Sequence, residues 1–296
     1  MIRCELKTYL KSIGRNIYEH LPENKYKQYL RSYIYGYLYL WPLSKITAKT
    51  QCSNGTCFIE LLDGTKFLGP KDKIKGYPTI SHRIEKFKCL ENCDSILELL
   101  GQVYLGKAYI KYYKPIPGDI VIDIGANIGA FTIQAAKLVG VSGKVIAIEP
   151  STNTLQYLRK NVEINKLNNV VIVPKGVWSS SGKIRIDTSQ NSTENSIYIR
   201  GHMKGEKRQF EEVEVDTLDN ILRTLGVVRP NFIKIDIEGA EIDAIKGMDE
   251  VLANKTIIAA EHHIINGQHT IKTVVPQLRA KGFHIIKQGG YLYARN

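Results

Sequence analysis

Residues 121–131 read VIDIGANIGAF: an apolar run ends in Asp123, and Gly125, Ala126, Asn127 and Gly129 follow before helical residues resume. A glycine-bearing turn between a buried strand and a helix lets main chain approach a ligand closely and leaves helix-start amides free to bind it. Nicotinamide enzymes use such turns too, but a pyrophosphate site opens on glycine, whereas here a carboxylate leads and the turn carries no basic residue. A carboxylate suits a cation such as the ammonium of a methionyl group and repels pyrophosphate. Glu149-Pro150 ends the next apolar run, 26 residues after Asp123, where an acid can accept hydrogen bonds from both ribose hydroxyls. These features together predict a pocket for a sulfonium nucleoside without phosphates, S-adenosyl-L-methionine.

Two further strand ends carry titratable groups: FIKIDIE with Asp236 and Glu238, and TIIAAEHH with Glu261, His262 and His263. In open α/β sheets ligands bind outside the carboxyl ends of the strands, at the point where strand order reverses. Alternation places Asp236 and Glu238 on one side if the strand persists, and sends His262 and His263 to opposite sides. Asp236, Glu238, Glu261 and His262 are therefore the candidate catalytic set. Asp236 is also a candidate cofactor contact, and His263 reads as structural. Methyl transfer from a sulfonium is an in-line displacement, so the protein's main task is to hold an acceptor about 3 Å from the methyl. A hydroxyl acceptor needs a base, which a histidine or a desolvated carboxylate supplies near neutral pH. Asp236, Glu238 and Glu261 could also hold a divalent cation; the displacement does not require one, and no metal is expected.

The elements that must position these residues follow from patterning. From about residue 119, apolar runs alternate with amphipathic stretches: VIDIG, KVIAIE, NVVIV, FIKID and TIIAAE, with helices from about Phe131, through Leu158, from Ala240 and from Thr270. Strands apolar on both faces and separated by helices imply a parallel sheet with right-handed crossovers. Gln288-Gly289-Gly290 joins two final runs, 283–287 and 291–294, as a hairpin, so the last strand runs antiparallel to the rest. Residues 179–210 are polar and read as a long excursion with a short hairpin at 183–187 and a mobile loop. Residues 1–48 read as helices bearing an aromatic stripe from Tyr26 to Trp41, residues 50–80 as a β-hairpin unit turning at Asp63-Gly64, and residues 93–113 return to helical spacing. The expected division is an accessory region, 1–94, and a catalytic domain, 95–296.

At this level the sequence resembles the FkbM family of methyltransferases over roughly residues 95–265, on GDIVIDIGANIGAFT (118–132), IEPS (148–151), VEVDTLDNIL (213–222) and FIKIDIEGAEIDAIKGM (232–248). The resemblance implies an α/β, Rossmann-like class I methyltransferase fold: a seven-stranded, mostly parallel sheet of order 3-2-1-4-5-7-6 with strand 7 antiparallel. The C-terminal hairpin, read independently, agrees. It further implies that Asp123, Gly125, Asn127 and Gly129 shape the methionine pocket, that Glu149 holds the ribose, and that Lys175-Gly176-Val177 faces adenine. Pro174-Lys175 departs from the Asp or Asn that many methyltransferases place there. The activity implied is O-methylation of a hydroxyl on a glycan or small metabolite.

Net charge is +12, and residues 1–49 alone carry nine Lys or Arg against three Glu. A basic, tyrosine-rich segment suits an anionic partner, so an RNA methyltransferase is the alternative, and peripheral membrane contact is a further option for the aromatic stripe. No stretch approaches the roughly 20 apolar residues of a transmembrane helix, charged residues interrupt the first twenty, and a cytoplasmic location is expected. Oligomeric state has no signature. All five cysteines precede residue 94, which removes thiol catalysis from the domain. Asn54-Gly55 sets Cys52 opposite Cys57 on a hairpin, within disulfide reach. Buried thiols are the expectation, with a disulfide or a zinc site on the C-x4-C and C-x3-C spacings as alternatives.

Overall fold

The computed structural model describes residues 41–72, 85–90, 93–188, 209–265 and 267–296. The helices expected within 1–40, most of the aromatic stripe and the loop within 189–208 lie outside them. The described residues form two compact units, one running to Thr65 and resuming over Gly69–Gly106, the other comprising Lys66–Leu68 and Lys107–Asn296.

In the first unit a short helix, α1 (Trp41–Ile46), leads into β1 (Thr47–Ser53), β2 (Thr56–Leu61) and β3 (Lys66–Pro70), a three-stranded sheet where a hairpin was expected from residue 50. Asn54 and Gly55 take positive φ, 46° and 75°, as a two-residue turn demands, and Cys52 faces Cys57 in the register. Cys57 is nevertheless bridged to Cys93 and not to Cys52. Cys52, half-buried, and Cys89, exposed, are free thiols, so the expectation of buried thiols holds for none of these four cysteines. Helix α2 (Asp94–Leu100) and a π turn over Gly101–Gly106 close the unit, and the helical spacing read to residue 113 ends there.

The second unit is built on a seven-stranded sheet. Its strands are β4 (Ile120–Ile124), β5 (Lys144–Ile148), β6 (Val170–Val173), β10 (Phe232–Ile235), β11 (Ile257–Glu261), β14 (His284–Gln288) and β15 (Tyr291–Arg295), in the order β14-β15-β11-β10-β4-β5-β6. Read from β6, that is 3-2-1-4-5-7-6, and β15 is antiparallel to both neighbours. Strands β4 and β10 are buried along almost their whole length, which is why they read as continuous apolar runs. Helices α3 (Ala130–Val139), α4 (Thr152–Ile164), α5 (Leu218–Thr224), α6 (Glu241–Lys246), α7 (Asp249–Leu252) and α8 (Ile271–Ala280) make the connections. Ile122, Ile124, Ile146, Leu222, Ile233, Met248 and Leu278 lie in one core between sheet and helices.

Two insertions at the carboxyl edge were not fully anticipated. The polar excursion folds as β7 (Gly176–Val177), β8 (Gly182–Asp187) and β9 (Phe210–Asp216), ordered β7-β9-β8. After β11 a ribbon of β12 (Ile264–Ile265) and β13 (Gln268–His269) precedes α8. Among the described residues no helix is long and apolar enough to cross a membrane.

Candidate functional site

The carboxyl ends of β4, β5, β10 and β11 are neighbours in the sheet, so their terminal residues share one edge. At β4 the chain turns sharply: Gly125 has φ +74° and Gly129 φ +92°. A Cβ on Gly125 would sit 1.8 Å from the Asp236 carbonyl oxygen, so only glycine lets the turn pack against the end of β10. The amides of Gly125 and Ala126 both reach the Ile148 carbonyl at 3.0 Å, which ties the turn to β5. Asn127 takes φ +52° and its side chain accepts from the Ile128 amide.

Asp123, which leads the turn, is fully buried. It accepts from the Thr132 hydroxyl at 2.6 Å and pairs with Lys234 at 3.1 Å. Its charge is thus matched from within, so the residue anchors the turn and offers no free charge to a ligand. Lys234 lies beside Asp123 in the β4–β10 register. Its ammonium also donates to the Gly125 carbonyl at 2.6 Å and stands 3.8 Å from Asp236. Burial alone would depress its pKa, but Asp123 and Asp236 outweigh that and raise it.

Glu149, at the end of β5, is the acid positioned beside the turn. Its two oxygens accept from the amides of Asn127 at 2.9 Å and Ser151 at 3.0 Å. Burial still pushes its pKa up to about 7, against those hydrogen bonds. Pro150 continues the chain toward Ser151, the N-cap of α4. Lys175, Gly176 and Val177 follow β6: Gly176 and Val177 pair with Val215 and Asp216, and Lys175 forms an ion pair with Asp216 at 3.2 Å. Asp216 is drawn down to about 2; its partial burial works the other way, but donors from Ser181, Asn220, Lys175 and the Thr217 amide prevail.

The second cluster joins β10 to β11. The strand ends at Ile235 and Glu238 adopts φ +53°, so Asp236 and Glu238 converge through a turn and not by strand alternation. The residue between them is His263: its Nε2 lies 3.4 Å from Glu238 and 3.8 Å from Asp236, and its Nδ1 2.9 Å from Glu241. Burial opposes protonation of this ring, but the Glu241 hydrogen bond and the surrounding acids push its pKa up to about 10. His262 points elsewhere, with its ring 5.4 Å from that of His269 and a pKa lowered chiefly by burial. The β12–β13 ribbon explains the exchange, since Thr270 exchanges hydrogen bonds with the His263 backbone and fixes which ring turns toward α6. The donor atoms of Asp236, Glu238 and His263 lie within 4.8 Å of one another, close enough to share a metal ion or the proton that His263 carries.

Glu261 completes the edge. Tyr109, buried, donates to Asp236 at 2.8 Å and lies 3.3 Å from Glu261; Tyr291 also hydrogen-bonds Glu261. Burial first, then Asp236, raises Glu261 to about 8. Neither Lys234 nor Tyr109 stood out in the sequence. The signal available for Lys234 was a cation inside a four-residue apolar strand, FIKI, a position that only a charge partner permits.

The donor set fits a nucleoside sulfonium. Glu149 is a strand-end carboxylate, and Lys234, the lysine that reaches the glycine turn, is 4% exposed and already paired, so the turn presents no cation to a phosphate.

Comparisons with known proteins point to a methyltransferase family. The family model described as the methyltransferase FkbM domain matches residues 123–285, just over half of the chain. The hexuronic acid methyltransferase AglP of Haloferax volcanii is 28% identical over 145 residues, 49% of this chain and 56% of that protein. Methyltransferase sdnD of Sordaria araneosa is 29% identical over 157 residues, 44% of this chain and 60% of that one. The matches thus span less than two thirds of either relative. Among solved structures, an FkbM methyltransferase from Methylobacillus flagellatus KT aligns at 16% identity and TM-score 0.45, covering 68% of this chain and 53% of that one.

Proposed function

We propose that the methyl acceptor is a hydroxyl on a glycan or small metabolite, from the premise that the chain belongs to the methyltransferase FkbM domain family and is an S-adenosyl-L-methionine-dependent methyltransferase. The cofactor, when bound, supplies an electrophilic methyl on sulfonium sulfur. Glu149 would accept the ribose hydroxyls, the 125–129 turn, whose amides are already bonded within the protein, would bring its main chain close to the methionyl end, and Gly176-Val177 would sit beside the adenine.

The observation that carries the hydroxyl reading is the desolvated carboxyl of Glu261, raised to about 8 and placed at the strand edge beside Asp236. A hydroxyl must lose its proton as its oxygen bonds to the methyl, and the ionised form of Glu261, which gains population as pH rises toward 8, takes that proton far better than a carboxylate of ordinary pKa. Tyr109 steers Glu261 and Asp236 by hydrogen bonds to both. The protonated His263 holds Glu238 and Asp236 at the mouth, where they can bind neighbouring hydroxyls of the acceptor. A glycan offers such vicinal hydroxyls, and the relationship to a hexuronic acid methyltransferase supports the same class.

The test is a cell extract incubated with the protein and methyl-labelled cofactor, fractionated into glycans, small metabolites and RNA. Label in a glycan or metabolite hydroxyl is the expected result; label recovered in RNA would replace this reading with the nucleic-acid one. With the acceptor in hand, Glu261→Gln should lower kcat by roughly 10²–10⁴ while leaving cofactor affinity unchanged.

A further inference from the structure

The four cysteines among the described residues lie together in the first unit, and the methyl-transfer chemistry uses none of them. Cys52 and Cys57 face each other across the β1–β2 hairpin. Cys93 precedes α2, and Cys89 lies on the 3-10 turn Glu85–Leu90. The sulfurs of Cys52, Cys57 and Cys93 lie within 4.8 Å of one another. Cys89 donates to the Thr50 hydroxyl at 3.2 Å and shares a thiol hydrogen bond with Cys52. Thr50 and Cys52 are two apart on β1 and so face the same way; Cys89 therefore stands over the side of the hairpin from which Cys52 reaches the other sulfurs.

A disulfide accounts for two of these sulfurs, Cys57 and Cys93. It gives no reason for the Cys52 thiol to sit against it, or for the Cys89 thiol on a separate turn to hydrogen-bond Cys52 in turn. Zinc does. A tetrahedral thiolate site has Zn–S of about 2.3 Å, which sets its sulfurs about 3.8 Å apart. Cys52 and Cys93 stand at 3.7 Å. The spacings, C-x4-C on a hairpin and C-x3-C leading into a helix, fall within the range zinc-binding pairs use. Small units with limited cores commonly depend on such a staple.

We propose that Cys52, Cys57, Cys89 and Cys93 form a structural zinc site, filled when the Cys57–Cys93 bond is reduced and closed to metal when it is formed. A dithiol reductant delivers two electrons and two protons to that bond, leaving two thiols and its own disulfide. Zn²⁺ then displaces four thiol protons and is held as the tetrathiolate. Oxidation by a disulfide of the same class reverses the sequence and releases the ion.

The full-length protein, reduced and passed through a desalting column after exposure to Zn²⁺, should retain about one zinc per chain by elemental mass spectrometry. Co²⁺ in its place should give the intense visible absorption of a tetrahedral thiolate complex. Cys89→Ser alters an exposed residue outside the disulfide, so the fold should survive, as calorimetry with S-adenosyl-L-methionine will report; this variant and Cys52→Ser should lose the retained zinc. Reduced wild type that retains no metal, or a Cys89→Ser variant that binds zinc and gives the cobalt spectrum like wild type, would overturn the four-thiolate site.

Discussion

Glu149 sits where a buried charge is costly: its carboxyl has two main-chain donors, yet burial holds its pKa near 7, so much of it is protonated at neutral pH in the free protein. Two ribose hydroxyls donating to the same oxygens would favour the ionised form. Binding should therefore release a proton, and cofactor affinity should rise as pH increases through about 7 and then level off. Isothermal titration calorimetry in buffers of different ionisation enthalpy measures both effects; affinity that is flat across this range would remove Glu149 from the ribose. In Glu149→Ala the loss of hydrogen bonds to a charged acceptor, each about 1.5–3 kcal/mol, should weaken binding by tenfold or more. Asp123→Asn is expected to act differently. That carboxylate has no exposure and faces Lys234, so its neutralisation leaves a buried ammonium short of its partner and should unfold the domain more readily, at a cost of roughly 3–5 kcal/mol. Chemical denaturation reads that change directly, and an unchanged midpoint would show the pair to be dispensable.

At the level of elements, the β4 turn is held by a contact between main chains, which makes it intolerant of any side chain. In Gly125→Ala the new Cβ would meet the Asp236 carbonyl at 1.8 Å on a backbone already at φ +74°, so the turn and the end of β10 must separate. Gly226, at φ +66°, has nothing within 4 Å of the place a Cβ would take, and its alanine variant should cost only the left-handed penalty of about 1 kcal/mol. Gly125→Ala should exceed that cost and abolish cofactor binding in thermal-shift and calorimetric assays, whereas Gly226→Ala should keep binding. The sheet was legible in the sequence because parallel strands buried on both faces are continuous apolar runs; VIDI, KVIAI and FIKI are spaced by helices, and Gly289 and Gly290 turn the last pair. The edge of the sheet was less legible. Strand alternation sends His262 and His263 to opposite sides, but which side faces the acids depends on the β12–β13 ribbon, whose two-residue strands are too short to leave a periodic signal. Tyr109 lies in an irregular segment past the π turn, where spacing carries no information about direction. The Cys57–Cys93 bridge joins residues 36 apart in sequence, and hairpin chemistry could only point Cys52 at its cross-strand neighbour.

For the molecule as a whole, Glu149, Glu261 and His263 are the groups at the candidate site that hold protons more tightly folded than unfolded below pH 10; Lys234 and Tyr109 are raised too, but from ordinary values of 10.5 and 10.0. Glu149 stands near 7 and Glu261 near 8 against an ordinary 4.5, and His263 near 10 against 6.5. Folding therefore takes up protons, and stability must fall as pH rises wherever these groups differ between states. The His263 contribution is complete below 6.5 and disappears as pH climbs through 10. The two glutamates add a cost that begins above 4.5 and reaches its full size beyond 7 and 8. All three act in the same direction between about pH 6.5 and 7, and each full proton contributes a slope of about 1.4 kcal/mol per pH unit. Asp216 and His262 have the opposite sign: Asp216 is lowered to about 2, so its stabilisation is present above 3.8 and is lost only as pH falls through 2, and the lowered His262 costs stability only below its ordinary 6.5, both outside this window. The free protein should accordingly be most stable on the acid side of neutrality, with Tm declining by several degrees from about pH 6.5 to about pH 9 at fixed ionic strength. Saturating S-adenosyl-L-methionine should flatten the lower part of that decline, because bound ribose holds Glu149 ionised in the folded state and removes its share of the proton uptake. His263→Gln should flatten the upper part, where only the histidine still titrates. Differential scanning calorimetry across this range distinguishes the two, and a Tm that rises with pH in the free protein would show that the site does not carry the protons assigned to it.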